Sequence, residues 1–182
     1  EEEDEELEKE AERARKKLVV IFTSSVDSTH RLCRLLQLVP GLRVTAKNRS
    51  GKRSGATEGA EVARTTRSVP VAEFSSLLSA GARASLTRAC ARGAVQVVVC
   101  SDGMARGVDL PSVTAVVNYD LPPFVMTYVH RVGRTARAGK KGSAYTLVKG
   151  KSQEKKFFDM RSKLSSRGVA RHLRVSTEEC DA

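Results

Sequence analysis

Short runs of apolar, mostly β-branched residues recur along the chain and restrict the folds that it can adopt. The runs are "LVVIF" (18–22), "VPVAEF" (69–74), "AVQVVVC" (94–100), "VTAVVNYD" (113–120) and "GSAYTLV" (142–148). Continuous rather than alternating hydrophobicity indicates strands that are buried on both faces. Segments with helical spacing separate the runs. We therefore predict a single α/β domain, with a mostly parallel sheet and helices on both faces.

Two helices are predicted between the first strands. The first contains apolar residues at intervals of one, three or four, and Asp27 or Ser28 is predicted to cap its start. The dipeptide Pro40-Gly41 should end it, because proline cannot continue a helix. The second helix is predicted over about 79–92.

A cluster of cations interrupts this pattern at "YVHRVGRTARAG" (128–139), where Arg131, Arg134 and Arg137 follow one another at intervals of three. A helix through this run would place the three guanidiniums on one side. Close like charges repel, so a polyanionic partner would explain the cluster. The formal net charge of +11 favours nucleic acid or phosphate-rich ligands, and the aromatic content of 4% favours contact with the backbone over base stacking.

The ends of the predicted strands carry further polar residues. Ser101 and Asp102 directly follow one strand, "TSS" follows the first, and "VVNYD" leads to the arginine segment. Carboxyl ends of parallel strands meet at one edge of a sheet, where ligands of such folds bind. We expect hydroxyls, a carboxylate and guanidiniums to meet there and to suit phosphate. For Asp102, the alternative is a helix cap without a ligand.

The chain divides into three regions by composition. Residues 1–17 form a charged linker or helix, residues 18–160 the domain, and residues 161–182 a basic tail. A basic insertion at about 43–68 is predicted to be a partly disordered surface segment.

The four cysteines show no C-x-x-C pairing, so we expect reduced thiols and no metal site. No run is long enough to span a membrane, and the missing initiator Met suggests a fragment of a longer protein.

Four segments together resemble a known family. "VVIFTSS" is similar to motif IV, "SDGMARGVD" to motif V and "YVHRVGRTARAG" to motif VI of the DEAD-box RNA helicases, and "VVNYDLP" resembles the segment between the last two. The resemblance extends from about residue 18 to residue 160, apart from the insertion, and follows the order of the family. It identifies the chain as the second, C-terminal RecA-like lobe of a helicase core. "VAEFSS", "VVNYD" and "TYVHRVGRTARAGKKG" are most similar to the nucleolar helicases of large-ribosomal-subunit assembly.

The resemblance implies roles at the nucleotide. Arg134 and Arg137 would be arginine fingers that reach the γ-phosphate of ATP, and His130 and Arg131 would link the two lobes and the nucleotide site. Gly107 and Asp109 would lie near the nucleotide, with Asp109 toward its ribose. Gly133, having no side chain, would let the neighbouring backbone approach closely.

The resemblance also implies an RNA path. The residues along the RNA backbone would be Ser25, Arg83, Ser101 and Asp102. Three departures from the family pattern put single contacts in doubt. Ala80 stands where the family's Q-x-x-R element has glutamine, Ser75-Ser76 replaces the usual His-Gly, and Val26 occupies a position that is commonly basic.

Two nucleotide-binding elements are absent from this sequence: the G-x-x-x-x-G-K-[ST] phosphate loop and the Asp-Glu-Ala-Asp box. ATP and Mg²⁺ would therefore be held mainly by the N-terminal RecA-like lobe of the same protein. We expect the isolated chain to be monomeric and inactive, and the two-lobed protein to be an ATP-dependent RNA helicase.

The resemblance further implies pre-ribosomal RNA as a partner and an intracellular, nuclear and nucleolar location, with no membrane contact. The alternatives are a non-catalytic RNA-binding or scaffold lobe derived from a helicase and, less in keeping with the motifs, a DNA helicase of the same superfamily. A phosphate loop and an acidic box upstream in the full-length protein would decide between motor and scaffold.

Overall fold

The computed structural model describes residues 17–39, 69–105, 110, 113–164 and 173. Residues 1–16, the insertion at 43–68, Gly107, Asp109 and most of the tail lie outside these ranges, so the predictions made for them stay predictions. The strands are β1 (Leu18–Thr23), β2 (Val71–Phe74), β3 (Val97–Ser101), β4 (Val113–Asn118) and β5 (Ser143–Thr146). The helices are α1 (Val26–Leu38), α2 (Ala80–Ala91), α3 (Asp102–Ala105), α4 (Val125–Val132) and α5 (Gly150–Ser162).

All five strands form one parallel sheet in the order β2-β3-β1-β4-β5. β1 therefore lies at the centre, where Val20 pairs with Val98 on one side and Val116 on the other. This arrangement confirms the predicted fold class. It also brings the carboxyl ends of β1, β3 and β4 side by side, as the sequence pattern requires.

Helices cover both faces of the sheet. Leu18, Val20 and Phe22 face one way and pack in a cluster with Cys90 of α2. Val97 and Val99 face the other way and pack against Leu32 and Cys33 of α1. Because successive residues of a strand point to opposite faces, the continuous apolar runs supply both clusters.

The start of α1 differs from the prediction. Ser25 is the cap, in an extended conformation, and its hydroxyl oxygen accepts a hydrogen bond of 3.0 Å from the N–H of Ser28. Asp27 lies in the first helical turn and pairs with Arg31 at 3.1 Å. The prediction of Asp27 or Ser28 as the cap was wrong because the chain bends directly after β1, which starts the helix two residues earlier than a cap at Asp27 would.

The arginine run is not a continuous helix. α4 ends at Val132, and the N–H of Gly133 closes it by donating to the carbonyl of Val129 at 2.8 Å. Ala136 and Ala138 then adopt left-handed backbone conformations, with φ of 55° and 52°. Such conformations interrupt a right-handed helix. The three guanidiniums therefore do not lie on one helical face.

α5 packs against α4 through aromatic side chains. The rings of Tyr128 and Phe157 meet edge to face with centroids 5.9 Å apart, and Met160 of α5 is buried. Burial raises the pKa of the Tyr128 hydroxyl. α5 continues to Ser162, two residues past the boundary at 160 that the sequence suggested between the domain and its tail.

The three described cysteines, Cys33, Cys90 and Cys100, are buried and form no disulfide. Burial raises the pKa of Cys33 and Cys90 to about 11 and that of Cys100 to about 12, so these thiols are protonated at neutral pH. They serve as small core side chains. Within the described part of the chain, no helix is both long and apolar enough to cross a membrane.

Candidate nucleic-acid interface

The first arginine of the cluster lies inside the protein. Arg131 is fully buried, and its Nε and Nη2 atoms donate to the two carboxylate oxygens of Asp102 at 2.5 and 2.8 Å. Its Nη1 atom donates to the side-chain oxygen of Asn118 at 3.3 Å and to the carbonyl of Asp120 at 2.7 Å. The guanidinium carbon lies 5.4 Å from the centre of the Phe22 ring. A planar, bidentate pair with further hydrogen bonds is the arrangement that makes a buried charge tolerable.

Two residues with an expected role at a ligand are bonded to each other within this lobe. Arg131 was expected to contact the other lobe and the nucleotide, but its guanidinium is enclosed and bonded to this lobe's own oxygens. Asp102 was expected on the RNA path, yet both of its carboxylate oxygens accept from Arg131, and its side chain is only 29% exposed. The pair instead joins the end of β3 to α4. The alternative prediction, that Asp102 caps a helix, did not include its ion pair with Arg131 either.

The carboxyl ends of β1 and β3 carry the candidate hydroxyls. Ser101, the last residue of β3, is 7% exposed and stands beside Thr23 of β1 in the strand register. Ser25 is exposed, although its hydroxyl also caps α1 and donates to the Ser28 hydroxyl at 3.0 Å. The structure thus brings both candidate serines to neighbouring strand ends, as predicted.

Arg83 lies in the first turn of α2, which begins near the end of β2. The Ser79 hydroxyl caps this helix by accepting from the N–H of Ala82 at 3.2 Å. The Nε atom of Arg83 is buried and has no hydrogen-bond partner within the described ranges. A buried N–H donor without an acceptor is costly, so this side chain has hydrogen-bonding capacity that the described part of the lobe does not use.

The other two arginines lie on the turn after α4. Arg134 is half-buried and Arg137 is exposed, and their Nε atoms donate to the carbonyls of His130 and Gly133 at 3.3 and 2.7 Å. Thr135, between them, is buried and donates to the carbonyl of Val113 at 2.8 Å.

Val113 is the first residue of β4, whereas Asp102 and Asp120 lie at the opposite, carboxyl edge of the sheet. The sequence predicted that the guanidiniums would meet at the carboxyl edge; the backbone of the turn that carries Arg134 and Arg137 lies instead beside the start of β4. The reason is that α4 runs back along the sheet before the turn begins.

His130 is exposed in the last turn of α4, and Gly107 and Asp109 lie outside the described residues. Among the residues that the structure does describe, no group of three or more His, Cys, Asp or Glu side chains is arranged to hold a metal ion.

Three residues of this edge were not predicted from the sequence as parts of a site. Asn118 and Asp120 contact Arg131, and Ser24 contacts Asp120. The signal that could have found them is their position, because "TSS" and "NYD" follow the adjacent strands β1 and β4. Nothing in the local sequence shows that these two segments bond to each other.

Comparison with known proteins decides the family. The model of the helicase conserved C-terminal domain matches residues 48–139, half of the chain. The chain belongs to the DEAD-box RNA helicases and corresponds to their C-terminal lobe.

Similar curated proteins include DEAD-box ATP-dependent RNA helicase 1 of Arabidopsis thaliana, 39% identical over 129 residues, and ATP-dependent RNA helicase DDX51 of Homo sapiens, 38% identical over 154 residues. These matches cover 71% and 85% of this chain but 20% and 19% of the relatives, so the chain spans about a fifth of their length. Among solved structures, Saccharomyces cerevisiae Dbp5 L327V bound to RNA and ADP BeF3 is 26% identical with a TM-score of 0.58. That alignment covers 80% of this chain and 32% of the Dbp5 chain. The lobe has the RecA-like fold of this helicase family.

Proposed function

We propose that this chain is the part of an ATP-dependent RNA helicase that binds the RNA backbone and supplies arginine fingers to ATP held by the N-terminal lobe of the same protein. The observation that carries the proposal is the division of the arginine cluster. Arg131 is buried inside the lobe, whereas Arg134 and Arg137 lie on a surface turn anchored by Thr135. Planar guanidiniums in such a position suit the oxygens of a phosphoryl group.

The RNA side of the proposal consists of Ser25, Ser101 and Arg83. The two serines lie at neighbouring strand ends, and Arg83 has a buried donor without an acceptor among the described residues. Hydroxyls and guanidiniums bind phosphate and sugar oxygens with little dependence on sequence. Asp102, whose carboxylate is held by Arg131, would act on RNA through the position of its neighbour Ser101 rather than by direct contact. The related Dbp5 structure contains RNA, which agrees with this assignment.

The nucleotide side consists of Arg134 and Arg137, with His130 beside them and with Gly107 and Asp109 as further candidates. Their donors fit phosphate chemistry, and MgATP, held mainly by the N-terminal lobe, would supply the phosphoryl group that is transferred. An arginine finger contributes about 10³–10⁵ in rate in related nucleotide hydrolases. Dbp5 was solved with ADP BeF3, in which a beryllium fluoride group takes the place of the terminal phosphate, and this supports a nucleotide as a ligand of this kind of protein.

The finer assignment is to pre-ribosomal RNA in the nucleolus, within ribosome biogenesis and rRNA processing. It is supported by the resemblance of "VAEFSS" and "VVNYD" to helicases of large-subunit assembly and by a net charge of +11. Co-sedimentation of the tagged full-length protein with pre-60S particles would support this assignment. Exclusive co-sedimentation with other RNA-protein particles would contradict it.

The decisive experiment compares ATP turnover and RNA binding in the two-lobed protein. Arg134→Ala should lower RNA-stimulated ATP turnover by about 10³ because the closed site offers no substitute donor. RNA affinity without nucleotide should stay within about threefold, since Ser25 and Ser101 lie at the edge of the sheet opposite to the backbone of Arg134. Arg134→Lys should restore little, because an ammonium lacks the planar fork.

Arg88→Ala is the matched control. It removes the same charge from an exposed position in the last turn of α2, so both quantities should stay near wild type. If Arg134→Ala kept its ATP turnover but lost RNA binding, the arginine would belong to the RNA path. If the wild-type two-lobed protein bound RNA but hydrolysed no ATP, the non-catalytic scaffold would be the correct function.

A further inference from the structure

An acidic side chain lies at the edge where RNA is proposed to bind. Asp120 follows β4, and its Oδ2 atom accepts two hydrogen bonds from Ser24, one from the backbone N–H at 2.7 Å and one from the hydroxyl at 2.9 Å. Ser24 follows β1, the neighbouring strand. One carboxylate oxygen therefore holds both donors of a residue that is 96 positions away in the chain.

The residue next to Ser24 is the candidate RNA contact Ser25. The carbonyl of Ser25 accepts from the N–H of Thr29 at 3.0 Å, from the Thr29 hydroxyl at 2.8 Å and from the Thr23 hydroxyl at 3.1 Å. The turn is thus tied to α1 on one side of Ser25 and to Asp120 on the other. Without the second tie, the position of Ser24 would depend on the end of β1 and the start of α1 alone, with no side-chain bond to the segment after β4.

Asp120 is also tied to the other RNA candidate. Its carbonyl accepts from Nη1 of Arg131 at 2.7 Å, and Arg131 in turn grips Asp102, which directly follows Ser101. A continuous network therefore runs from the turn with Ser25 through Asp120 and Arg131 to the end of β3.

We propose that Asp120 is a positioning residue for RNA binding, which sets the turn that carries Ser25 at a constant spacing from Ser101. This inference rests on the proposed function, because it assumes that these serines contact RNA. The direction in which RNA affinity changes when Asp120 is removed separates two possible roles of this residue. A carboxylate beside a phosphate path is repulsive, so a purely electrostatic role predicts that its removal strengthens RNA binding. A positioning role predicts that removal weakens binding although the net charge becomes more positive.

The first measurement is the affinity of the full chain for a single-stranded RNA oligonucleotide at constant salt. Asp120→Ala should weaken binding by about tenfold, because the turn that carries Ser25 loses the two hydrogen bonds that hold Ser24. Asp120→Asn keeps one oxygen acceptor without the charge and should give an intermediate loss.

Asp27→Ala is the matched control. This variant removes an exposed acid that lies two residues beyond Ser25. The only described ion pair of Asp27 is with Arg31 at the surface. Its RNA affinity should equal that of wild type or exceed it slightly.

The second measurement is amide hydrogen exchange at Ser24 without RNA, which does not depend on the proposed function. Exchange at this N–H should accelerate about tenfold in Asp120→Ala, as expected for loss of its charged acceptor, and stay unchanged in Asp27→Ala. In the two-lobed protein, Asp120→Ala should raise the RNA concentration for half-maximal ATP turnover and leave the maximal rate unchanged. A general loss of structure would lower the maximal rate as well.

The outcomes separate the two proposals. If the wild-type chain binds no RNA, the proposed function fails, and exchange at Ser24 still decides whether Asp120 positions the turn. If wild type binds RNA and Asp120→Ala binds equally or more tightly, the positioning role is overturned. If Asp120→Ala does not fold, Asp120→Asn and Ser24→Ala decide in its place: weaker RNA binding by these folded variants supports the role, and unchanged binding by both overturns it.

Discussion

At the scale of single residues, the guanidinium of Arg131 has the largest influence on the candidate site. It bonds to oxygen atoms of Asp102, Asn118 and Asp120, which belong to the ends of two different strands. A buried charge that loses its partner leaves an unpaired ion in a medium of low polarity. The motif VI pattern marks this arginine in the sequence, and its contacts show that it holds the ends of β3 and β4 together.

Arg131→Ala should lower the free energy of unfolding by about 3 kcal/mol, because it leaves the carboxylate of Asp102 without its charged partner and opens a cavity beneath α4. The value lies at the low end for buried pairs because Asp102 is partly exposed. Urea denaturation measures the change. Arg31→Ala is the control, since its pair with Asp27 is exposed on both sides and should contribute no more than about 0.5 kcal/mol. Equal losses in the two variants would contradict the structural role of Arg131.

At the scale of elements, the turn after α4 depends on close contact with the chain that enters β5. A Cβ atom built on Gly142 would lie 2.2 Å from the Thr135 hydroxyl oxygen and 2.7 Å from the backbone nitrogen of Ala136. Thr135 cannot easily move away, because its hydroxyl is bonded to the carbonyl of Val113. Gly142 therefore permits the approach that anchors the turn carrying Arg134 and Arg137.

Gly142→Ala should destabilise the chain by about 2 kcal/mol, as expected for a side chain forced into a filled space. It should also displace Arg134 and Arg137, so ATP turnover by the two-lobed protein should fall with little change in RNA affinity. The control is Gly81→Ala in α2, where an added Cβ meets no described atom within 4 Å and should stabilise the helix by about 0.5–1 kcal/mol. The thermal unfolding midpoints of Gly142→Ala and Gly81→Ala, compared with wild type, test both expectations. A Gly142→Ala variant as stable as wild type would show that the turn can shift at little cost.

At the scale of the whole molecule, the proposed RNA residues and the backbone of the turn that carries the proposed fingers lie at opposite edges of one sheet. Ser101 and Asp120 lie at its carboxyl edge, whereas the turn with Thr135 lies beside the start of β4. α4 and the Arg131 network span the distance between them. Under the proposed function, such a lobe would bind RNA by itself, whereas its fingers would act only on a nucleotide that another lobe presents.

The isolated chain should bind RNA with an affinity that falls steeply with salt, because cationic side chains release counterions from the phosphates. It should show no ATP turnover with or without RNA, since the sequence contains no phosphate loop. Addition of the N-terminal lobe, linked or separate, should produce RNA-stimulated turnover. Hydrolysis by the purified chain alone would contradict this division of labour.

The strands and the fold class were predictable because each depends on local composition. β1 and β3 are short β-branched runs, and a strand with continuous apolar residues can bury both faces only inside a layered parallel sheet. The ordered motifs likewise indicated the family, since the spacing of His130, Arg131, Arg134 and Arg137 is readable from the sequence.

Tertiary structure alone decided which of these residues face inward and what they contact. Arg131 and Asp102 are 29 positions apart, and Ser24 and Asp120 are 96 apart, so no local pattern encodes either pair. The sequence shows three equivalent arginines, but the end of α4 at Val132 and the anchoring of Thr135 make them unequal. The physical reason is that hydrophobicity specifies the elements one by one. The partner of a charge or a hydroxyl depends instead on which strand ends the sheet places next to each other.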